Sequence, residues 1–190
     1  CKMIKDKKEQ EKTVSLKFVD DRLLSMPSVA LMQVKKEMDY MFALVEENIS
    51  LSFEAMETGK MTAGEQIAAN EAVIDFTNGA LTRFLIKLSP LVEQSDEQVI
   101  GSYFHVLNDL ERIGDHAESF YELVAEMSSK HLIFSEKAHM DMKLMREKVV
   151  QMLIIAKDAF DLHRLIVSTK GKGDHLTYQE LSGNAVGTSF

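Results

Sequence analysis

The 190-residue sequence contains few residues of several types, and each shortage excludes a class of protein. Its one cysteine, Cys1, excludes both an internal disulfide and a metal cluster held by cysteine thiolates. No apolar run approaches the roughly 18–20 residues that a helix needs to cross a bilayer. Lysine and arginine number 22 against 30 aspartates and glutamates, which gives a formal net charge of −8. Such an acidic chain is poorly suited to contact the phosphates of nucleic acid, but it is compatible with binding cations.

Prolines and glycines are also rare, and they separate long segments that have the apolar periodicity of helices. The sequence has two prolines and nine glycines, and strand patterns are nearly absent. The connections are short, so neighbouring helices are expected to run antiparallel. We therefore predict an all-α fold, an antiparallel up-down bundle of four long helices with shallow crossings. The expected helices cover approximately residues 27–57, 62–89, 95–128 and 135–168.

The ends of these helices are predicted from local capping signals. Proline suits the first turn of a helix because its missing N–H needs no partner there, and glycine is a common stop. Ser or Thr followed three residues later by Glu or Gln is the capping-box pattern of a helix start. These signals occur at Pro27, at Gly59, at Thr62 with Glu65, at Ser95 with Gln98 and, as a single serine, at Ser135.

Composition divides the chain into three parts. Residues 1–16 form a basic linker, with five lysines among residues 2–12, and residues 17–168 contain the helices. In residues 169–190 the helical pattern dissolves into a polar, glycine-containing tail that we expect to be flexible. Because the chain begins at Cys1 and not at methionine, we expect it to be a fragment of a longer protein. A basic stretch before such a domain can mark the cytoplasmic side of a transmembrane helix, although a solvated linker is the simpler interpretation.

Apolar residues at alternating spacings of four and three predict which face of each helix is buried. In the second helix, Glu71 and Asn78 occupy positions of this seam that apolar residues fill elsewhere. The predicted seams of the second, third and fourth helices are Ile67, Glu71, Ile74, Asn78, Leu81, Leu85 and Leu88; Val99, Tyr103, Val106, Leu110, Ile113, Ala117, Phe120 and Val124; and Ala138, Met142, Met145, Val149, Met152 and Ala156.

Two Glu-x-x-x-Asp pairs are the candidate functional residues. Glu71 is followed by Asp75 in the second helix, and Glu111 is followed by Asp115 in the third. Residues four apart stack on one face of a helix with Cβ atoms about 5–6 Å apart, and like charges at that spacing repel. If the two helices are antiparallel neighbours, the four carboxylates can meet. They would then form the all-oxygen site that Mg²⁺, Ca²⁺, Mn²⁺ or Fe³⁺ prefers.

The ordinary alternative is that these carboxylates lie on solvated helix faces. Arg112 can reach Asp109 or Asp115 at a spacing of three and neutralise it. His116 can add a nitrogen ligand to the second pair, although its position turns it about 100° around the helix. Periodicity alone leaves the metal site and the solvated acidic face equally open.

The residues around the second pair resemble a known signature. Residues 108–118, Asn-Asp-Leu-Glu-Arg-Ile-Gly-Asp-His-Ala-Glu, are similar to the signature of PhoU domains, which are helical-bundle regulators of phosphate uptake. The pair Glu71 and Asp75 matches the other carboxylate motif of that family, on the preceding helix. Residues 18–31 are similar to the segment that leads into the PhoU-like domain of bacterial sodium/phosphate cotransporters.

This resemblance implies the cytoplasmic C-terminal domain of a sodium-dependent phosphate symporter, at the cytoplasmic face of the inner (plasma) membrane. Its partner would be the membrane transporter domain of the same polypeptide, and its role would be the regulation of phosphate transport. PhoU proteins bind metal clusters through their carboxylate pairs. The resemblance therefore implies an ion such as iron, zinc, magnesium or manganese, held by Glu71, Asp75, Glu111 and Asp115. PhoU proteins have two three-helix repeats, whereas this chain has one repeat and a fourth helix, so we expect a homodimer to supply the missing surface.

Two other functions remain open. The chain can be a free-standing PhoU-type regulator of a phosphate importer and its sensor kinase, which an upstream membrane region in the reading frame would exclude. It can also be a carboxylate-bridged metalloenzyme of the ferritin type. That site usually needs a Glu-x-x-His motif, and neither Glu71 nor Glu111 has a histidine three residues later. Because no phosphate-binding glycine loop, nucleophile elbow or zinc-protease motif is present, we predict that the chain is not an enzyme.

Overall fold

The computed structural model describes residues 15–170, and it describes the side chains of all of these except Ser95 and residues 163–170. The described residues form four α-helices and no strand, which confirms the all-α prediction. The helices are α1 (Pro27–Thr58), α2 (Gly64–Leu88), α3 (Gln94–Ser129) and α4 (Glu136–Lys170), with 3-10 turns at Asp21–Ser25 and Ser89–Leu91. None of these helices combines the length and the apolarity that crossing a membrane requires. The predicted linker up to residue 14 and the predicted tail from residue 171 lie outside the described residues.

Three of the predicted helix ends are confirmed. Pro27 is the first residue of α1, and Gly59 ends that helix in the left-handed conformation with a φ of 69°. Ser135 caps α4, since its hydroxyl accepts a hydrogen bond from the backbone N–H of Ala138 at 3.2 Å.

Both predicted capping boxes are wrong. α2 begins after Ala63 and α3 begins after Glu93, and neither of these residues makes a side-chain cap hydrogen bond. Thr62 therefore lies outside α2, and Ser95 lies inside the first turn of α3. The first turn of α3 carries acidic residues, which interact favourably with the positive end of the helix dipole and reduce the need for a cap.

α1 is the central helix, and α2 and α3 pack against it and against each other. α4 lies on α1 and α3 through a smaller contact. The helices that carry the two carboxylate pairs are therefore neighbours, as the sequence predicted. The apolar side chains with no exposed surface are Ala30, Val34, Met38, Met41, Val45, Ile74, Leu81, Leu85, Leu88 and Leu107.

The predicted seam of α2 is confirmed, whereas that of α3 is partly wrong. In α2, Glu71 and the apolar seam residues are buried, and Asn78 is half-buried. In α3, three seam residues are only half-buried, and the residue that follows each of them is buried in its place. The half-buried residues are Val106, Ile113 and Phe120, and the buried ones are Leu107, Gly114 and Tyr121. Because α3 contacts α1, α2 and α4, it buries a surface wider than one seam.

The predicted seam of α4 is also partly wrong, because a different edge of the helix faces the core. The predicted seam residues that are exposed are Met145, Met152 and Ala156. Leu153 and Phe160 are buried instead, and the Phe160 ring lies 5.8 Å from the ring of Phe42 and 5.6 Å from that of Tyr103. The outward face of α4 also exposes Met140, Leu144 and Ile155. The expected homodimer stays a prediction.

Four charged side chains hold the second half of α4 on α1. Lys35 is buried and forms ion pairs with Asp39 of α1 and Asp161 of α4. Lys157 of α4 pairs with the same two aspartates, at 3.4 Å and 3.0 Å. The two positive charges balance the two negative charges, and such a network contributes more to stability than an isolated surface ion pair. It therefore helps to set the rotation of α4 about its own axis, which the apolar spacing did not reveal.

The entry segment, defined as residues 15–25, is fixed to the bundle by a buried carboxylate. Glu37 of α1 accepts hydrogen bonds from the backbone N–H of Lys17, at 3.1 Å and 2.9 Å, and from that of Phe18, at 2.8 Å. Val19 then packs into the hydrophobic core. A chain segment that precedes α1 is thus held in one position against it.

We predict that Glu37→Ala detaches the start of the entry segment from α1. Hydrogen bonds to charged groups contribute about 1.5–3 kcal/mol each, and the freed N–H groups can bond to water. We therefore expect the free energy of unfolding to fall by about 2–3 kcal/mol. Amide hydrogen exchange at Lys17 and Phe18 should become at least tenfold faster, while Glu46→Ala, an exposed position on the same helix, should leave it unchanged. Unchanged exchange in Glu37→Ala would contradict the prediction.

Candidate metal centre

Glu71 is a buried carboxylate without a hydrogen-bond partner. It lies on the inner face of α2, where its exposed fraction is 5%. Both carboxylate oxygens, Oε1 and Oε2, are buried, and neither accepts a hydrogen bond. Buried carboxylates normally receive hydrogen bonds or pair with a cation, because moving an unpaired charge out of water is costly. Glu71 therefore has two oxygen atoms available for a ligand.

Two aspartates lie next to Glu71. Asp75 follows it by one turn on α2, and Asp115 extends from α3. One carboxylate oxygen from each of the three residues lies within 4.8 Å of the other two. Because both aspartates are exposed, the group is closed at Glu71 and open to solvent on the other side. We refer to Glu71, Asp75 and Asp115 as the acidic cluster.

Two half-buried glutamates on α3 flank the acidic cluster. Burial is the main cause that raises the pKa of Glu111, and the negative charges of Asp115 and Asp75 raise it further. The positive charge of Arg112 acts in the opposite direction. Burial also raises the pKa of Glu118, followed by the negative charges of neighbouring carboxylates, the two aspartates of the acidic cluster among them. The negative potential thus extends along α3 on both sides of the acidic cluster.

The surroundings of Glu71 raise its pKa to about 7. Burial is the largest cause, since it removes the water that stabilises an ionised carboxylate. The charges of Asp75 and Asp115 follow, and those of Glu118 and Glu111 add to them. Among the described side chains, no lysine or arginine pairs with the Glu71 oxygens. At neutral pH the Glu71 carboxylate therefore either keeps a proton or needs a cation.

The backbone of α3 comes close to Glu71 at Gly114. A Cβ atom on Gly114 would lie 2.7 Å from Oε2, 3.2 Å from Oε1 and 3.3 Å from Cδ of Glu71. The carboxylate of Glu71 therefore fills space that a side chain at position 114 would otherwise take.

Three of the four residues predicted to hold a metal come together in the structure. Glu71, Asp75 and Asp115 form the acidic cluster, whereas Glu111 lies beside it. Glu118 also lies beside the acidic cluster, and it was not among the predicted residues. Its position three residues after Asp115 places it on the same helical face, and that spacing was the signal that could have identified it.

The ordinary alternative does not account for Glu71. Among the ion pairs of the described side chains, Arg112 is paired with neither Asp109 nor Asp115. His116 is exposed and lies outside the group of converging ligand atoms. A solvated acidic face describes the two aspartates, but it does not describe a carboxylate that is buried between two helices.

The acidic cluster fits a hard cation. Two oxygens on opposite sides of a Ca²⁺ ion, at about 2.3–2.6 Å each, are about 5 Å apart. The three carboxylate oxygens of the acidic cluster lie within 4.8 Å of one another, so one such ion can reach all three. The donors are carboxylate oxygens only, which is the ligand type that hard cations prefer.

The part of the chain that contains the acidic cluster is also the part that resembles known proteins. Residues 38–124, which contain α2 and the acidic cluster, match the family model of the PhoU domain. The chain is 26% identical over 125 residues to the phosphate-specific transport system accessory protein PhoU homolog of Aquifex aeolicus (strain VF5). The alignment covers 65% of this chain and 55% of that relative, so the chain spans about half the relative's length. No solved structure matches the chain at a significant level. Residues 38–124, with the acidic cluster inside them, thus carry the sequence pattern of a PhoU domain.

Proposed function

We propose that this chain is a regulatory domain that acts in phosphate transport and binds a hard cation at the acidic cluster. The observation that carries the proposal is the buried Glu71, whose two oxygens have no partner while Asp75 and Asp115 lie beside it. The match to the PhoU domain and the similarity to a phosphate-transport accessory protein support the regulatory role. This role requires no catalytic step.

A cation in the acidic cluster supplies the positive charge that its surroundings lack. Glu71 and Asp75 belong to α2 and Asp115 belongs to α3, so a bound ion links the two helices. Without the ion, the carboxylates repel one another across that contact. Occupancy of the site then changes the stability of the contact between α2 and α3. A binding domain without catalytic activity can transmit a signal in this way, because the ion favours one arrangement of the helices.

The donor atoms narrow the choice of ion. The candidate ions are those of iron, zinc, magnesium and manganese. Zinc is the least suited to this site, because it usually takes nitrogen or sulfur ligands in proteins. Carboxylate oxygens suit Mg²⁺ and Mn²⁺ well. We therefore rank these two above zinc.

The finer proposal is that the chain is the cytoplasmic domain of a sodium-dependent phosphate symporter. The similarity of residues 18–31 to the segment that leads into such domains supports it. The hydrogen bonds from the entry segment to Glu37 are also consistent with it, since they would pass a movement of a preceding membrane domain to α1. The alternative is a free-standing regulator. A multi-span membrane region in the reading frame upstream of Cys1 would support the symporter, and a start codon directly upstream would overturn it.

Titration of the metal-free protein with Mn²⁺ by isothermal calorimetry tests the cation site. We expect at least one ion per chain in the wild type and an affinity at least tenfold lower in Glu71→Gln, because glutamine keeps the size of the side chain but removes its charge. Asp115→Asn should weaken binding for the same reason. The matched controls are Glu65→Gln on α2 and Asp109→Asn on α3, which are exposed residues outside the acidic cluster and should leave the affinity unchanged.

Elemental analysis gives an independent check. Protein purified without chelator should contain one of the four candidate ions in near-stoichiometric amounts. If the wild type binds none of them and Glu71→Gln is simply more stable, Glu71 is a protonated core residue and the cation site does not exist.

The ferritin-type enzyme gains no support from the described residues. The acidic cluster contains no histidine, and the adjacent His116 is exposed.

A further inference from the structure

We propose that Gly114 is a positioning residue of the cation site, because its lack of a side chain leaves room for the carboxylate of Glu71 between α2 and α3. This inference rests on the proposed function, since the cation site is itself proposed. It assigns a role to a residue that offers no ligand atom of its own.

The contact involves the whole carboxyl group of Glu71. A Cβ atom on Gly114 would approach Oε2 to 2.7 Å, which is closer than real Cβ contacts, and would also crowd Oε1 and Cδ. Both residues are buried, so the carboxylate has little free space on the inner side of the contact. With alanine at position 114, the Glu71 carboxylate must therefore move away from its present place beside Asp75 and Asp115.

The backbone conformation does not explain a glycine at this position. Gly114 lies inside the 36-residue helix α3, and Gly59 is the one described glycine with a positive φ. Glycine inside a helix is less favourable than alanine, because it loses more conformational freedom on folding. Helix propensity alone would therefore favour alanine at position 114. The close approach of Glu71 supplies the reason for glycine there.

A second glycine on the same helix provides the matched control. Gly101 also lies inside α3, but a Cβ atom there would meet nothing within 4 Å. Gly101→Ala therefore makes the same change in helix propensity without touching Glu71. The clash in Gly114→Ala falls on the end of a flexible side chain and not on backbone, so we expect both variants to fold.

Titration with Mn²⁺ in a double-mutant cycle tests the proposal. We expect Gly114→Ala to weaken Mn²⁺ binding at least tenfold, within the range seen when residues that orient metal ligands are changed. Gly101→Ala should stay within twofold of the wild type. Glu71→Asp withdraws the carboxylate by about the length of one C–C bond, which is about 1.5 Å. In that background Gly114→Ala should lower the affinity by less than twofold, because the shortened side chain no longer meets the new methyl group.

The outcomes separate this proposal from the cation site itself. A wild type that does not bind Mn²⁺ overturns both. Wild-type binding with an unchanged affinity in Gly114→Ala overturns only the role of Gly114. An equal loss of affinity in the wild-type and Glu71→Asp backgrounds also overturns it, because a general disturbance of α3 acts in both. If Gly114→Ala alone fails to fold and the double variant with Glu71→Asp folds, the clash with Glu71 is the cause and the proposal is supported, whereas failure of both variants to fold overturns it.

Discussion

Replacing Glu71 with glutamine is expected to stabilise the metal-free protein by about 2 kcal/mol at pH 8 and to have little effect at pH 5. At pH 8 the folded wild type holds a charged carboxylate that is buried among other carboxylates and has no partner. Glutamine removes that charge at nearly constant volume. A substitution that removes a proposed cation ligand should therefore make the bundle more stable.

The sign and the pH range follow from the raised pKa of Glu71. Its pKa is about 7 in the folded protein, against an ordinary value of 4.5. Between these values the folded chain keeps a proton that the unfolded chain has lost. The stability contributed by Glu71 is thus fully present below about pH 4.5 and is lost as the pH rises to about 7. One pKa unit corresponds to about 1.4 kcal/mol of folding free energy. Because solvent at the open side of the acidic cluster screens part of the repulsion, we expect the ionisation of Glu71 to lower the free energy of unfolding by about 2 kcal/mol.

Urea denaturation in the presence of EDTA at pH 5, 6, 7 and 8 measures this effect. The free energy of unfolding of the wild type should fall across the series, and that of Glu71→Gln should fall less. Glu65→Gln, an exposed change on the same helix, should follow the wild type. Equal pH dependence in the wild type and Glu71→Gln would show that the Glu71 carboxylate is not the group that titrates.

Addition of a cation is expected to produce the second large effect, an increase in thermal stability. A ligand at 100 times its dissociation constant stabilises the folded state by about 2.7 kcal/mol. For a chain of this size, that corresponds to an increase of roughly 5–10 °C in the unfolding temperature. Mn²⁺ should give this increase in the wild type at pH 8 and almost none in Glu71→Gln. Asp109→Asn, an exposed position on α3, should keep the full increase.

The effect of Mn²⁺ should also depend on pH. A metal ion binds the ionised carboxylate, so it must compete with the proton that Glu71 holds below about pH 7. The increase in unfolding temperature should therefore be largest at pH 8 and small at pH 5. An increase of equal size in Glu71→Gln would place the ion elsewhere on this acidic chain.

The two predictions describe one property of the site. Gly114 and the burial of Glu71 keep a carboxylate where it repels Asp75 and Asp115, which lowers the stability of the empty protein. The same arrangement favours any cation that enters. A site built in this way gives a large difference in stability between the empty and occupied states, which is the property that a regulatory domain needs.

Much of the fold follows from local sequence. Pro27 and Gly59 mark the ends of α1 because their effects on the backbone do not depend on neighbouring helices. The serine cap at Ser135 is also local. The capping boxes at Thr62 and Ser95 failed because a helix start can be stabilised by other means, such as the acidic first turn of α3.

The site was predictable where its residues repeat along one helix. Glu71 occupies a position of a largely apolar seam, and its burial follows directly from that position. The spacing of four between Glu71 and Asp75 was also readable from the sequence. Glu111 and Glu118 lie beside the acidic cluster and not among its converging oxygens, because convergence depends on how two helices are rotated and shifted against each other.

The sequence by itself determined four helices, the burial of a carboxylate on α2 and the presence of acidic residues on the neighbouring helix. Only the tertiary structure decided which faces of α3 and α4 point inward. In α3, packing buries Leu107, Gly114 and Tyr121 more fully than Val106, Ile113 and Phe120 of the predicted seam. In α4 the ion pairs of Lys35 and Lys157 help to set the rotation of the helix. The physical reason is that the helical repeat fixes the angles between residues of one helix. The rotation of the whole helix about its axis depends instead on the shapes and charges of the neighbouring helices.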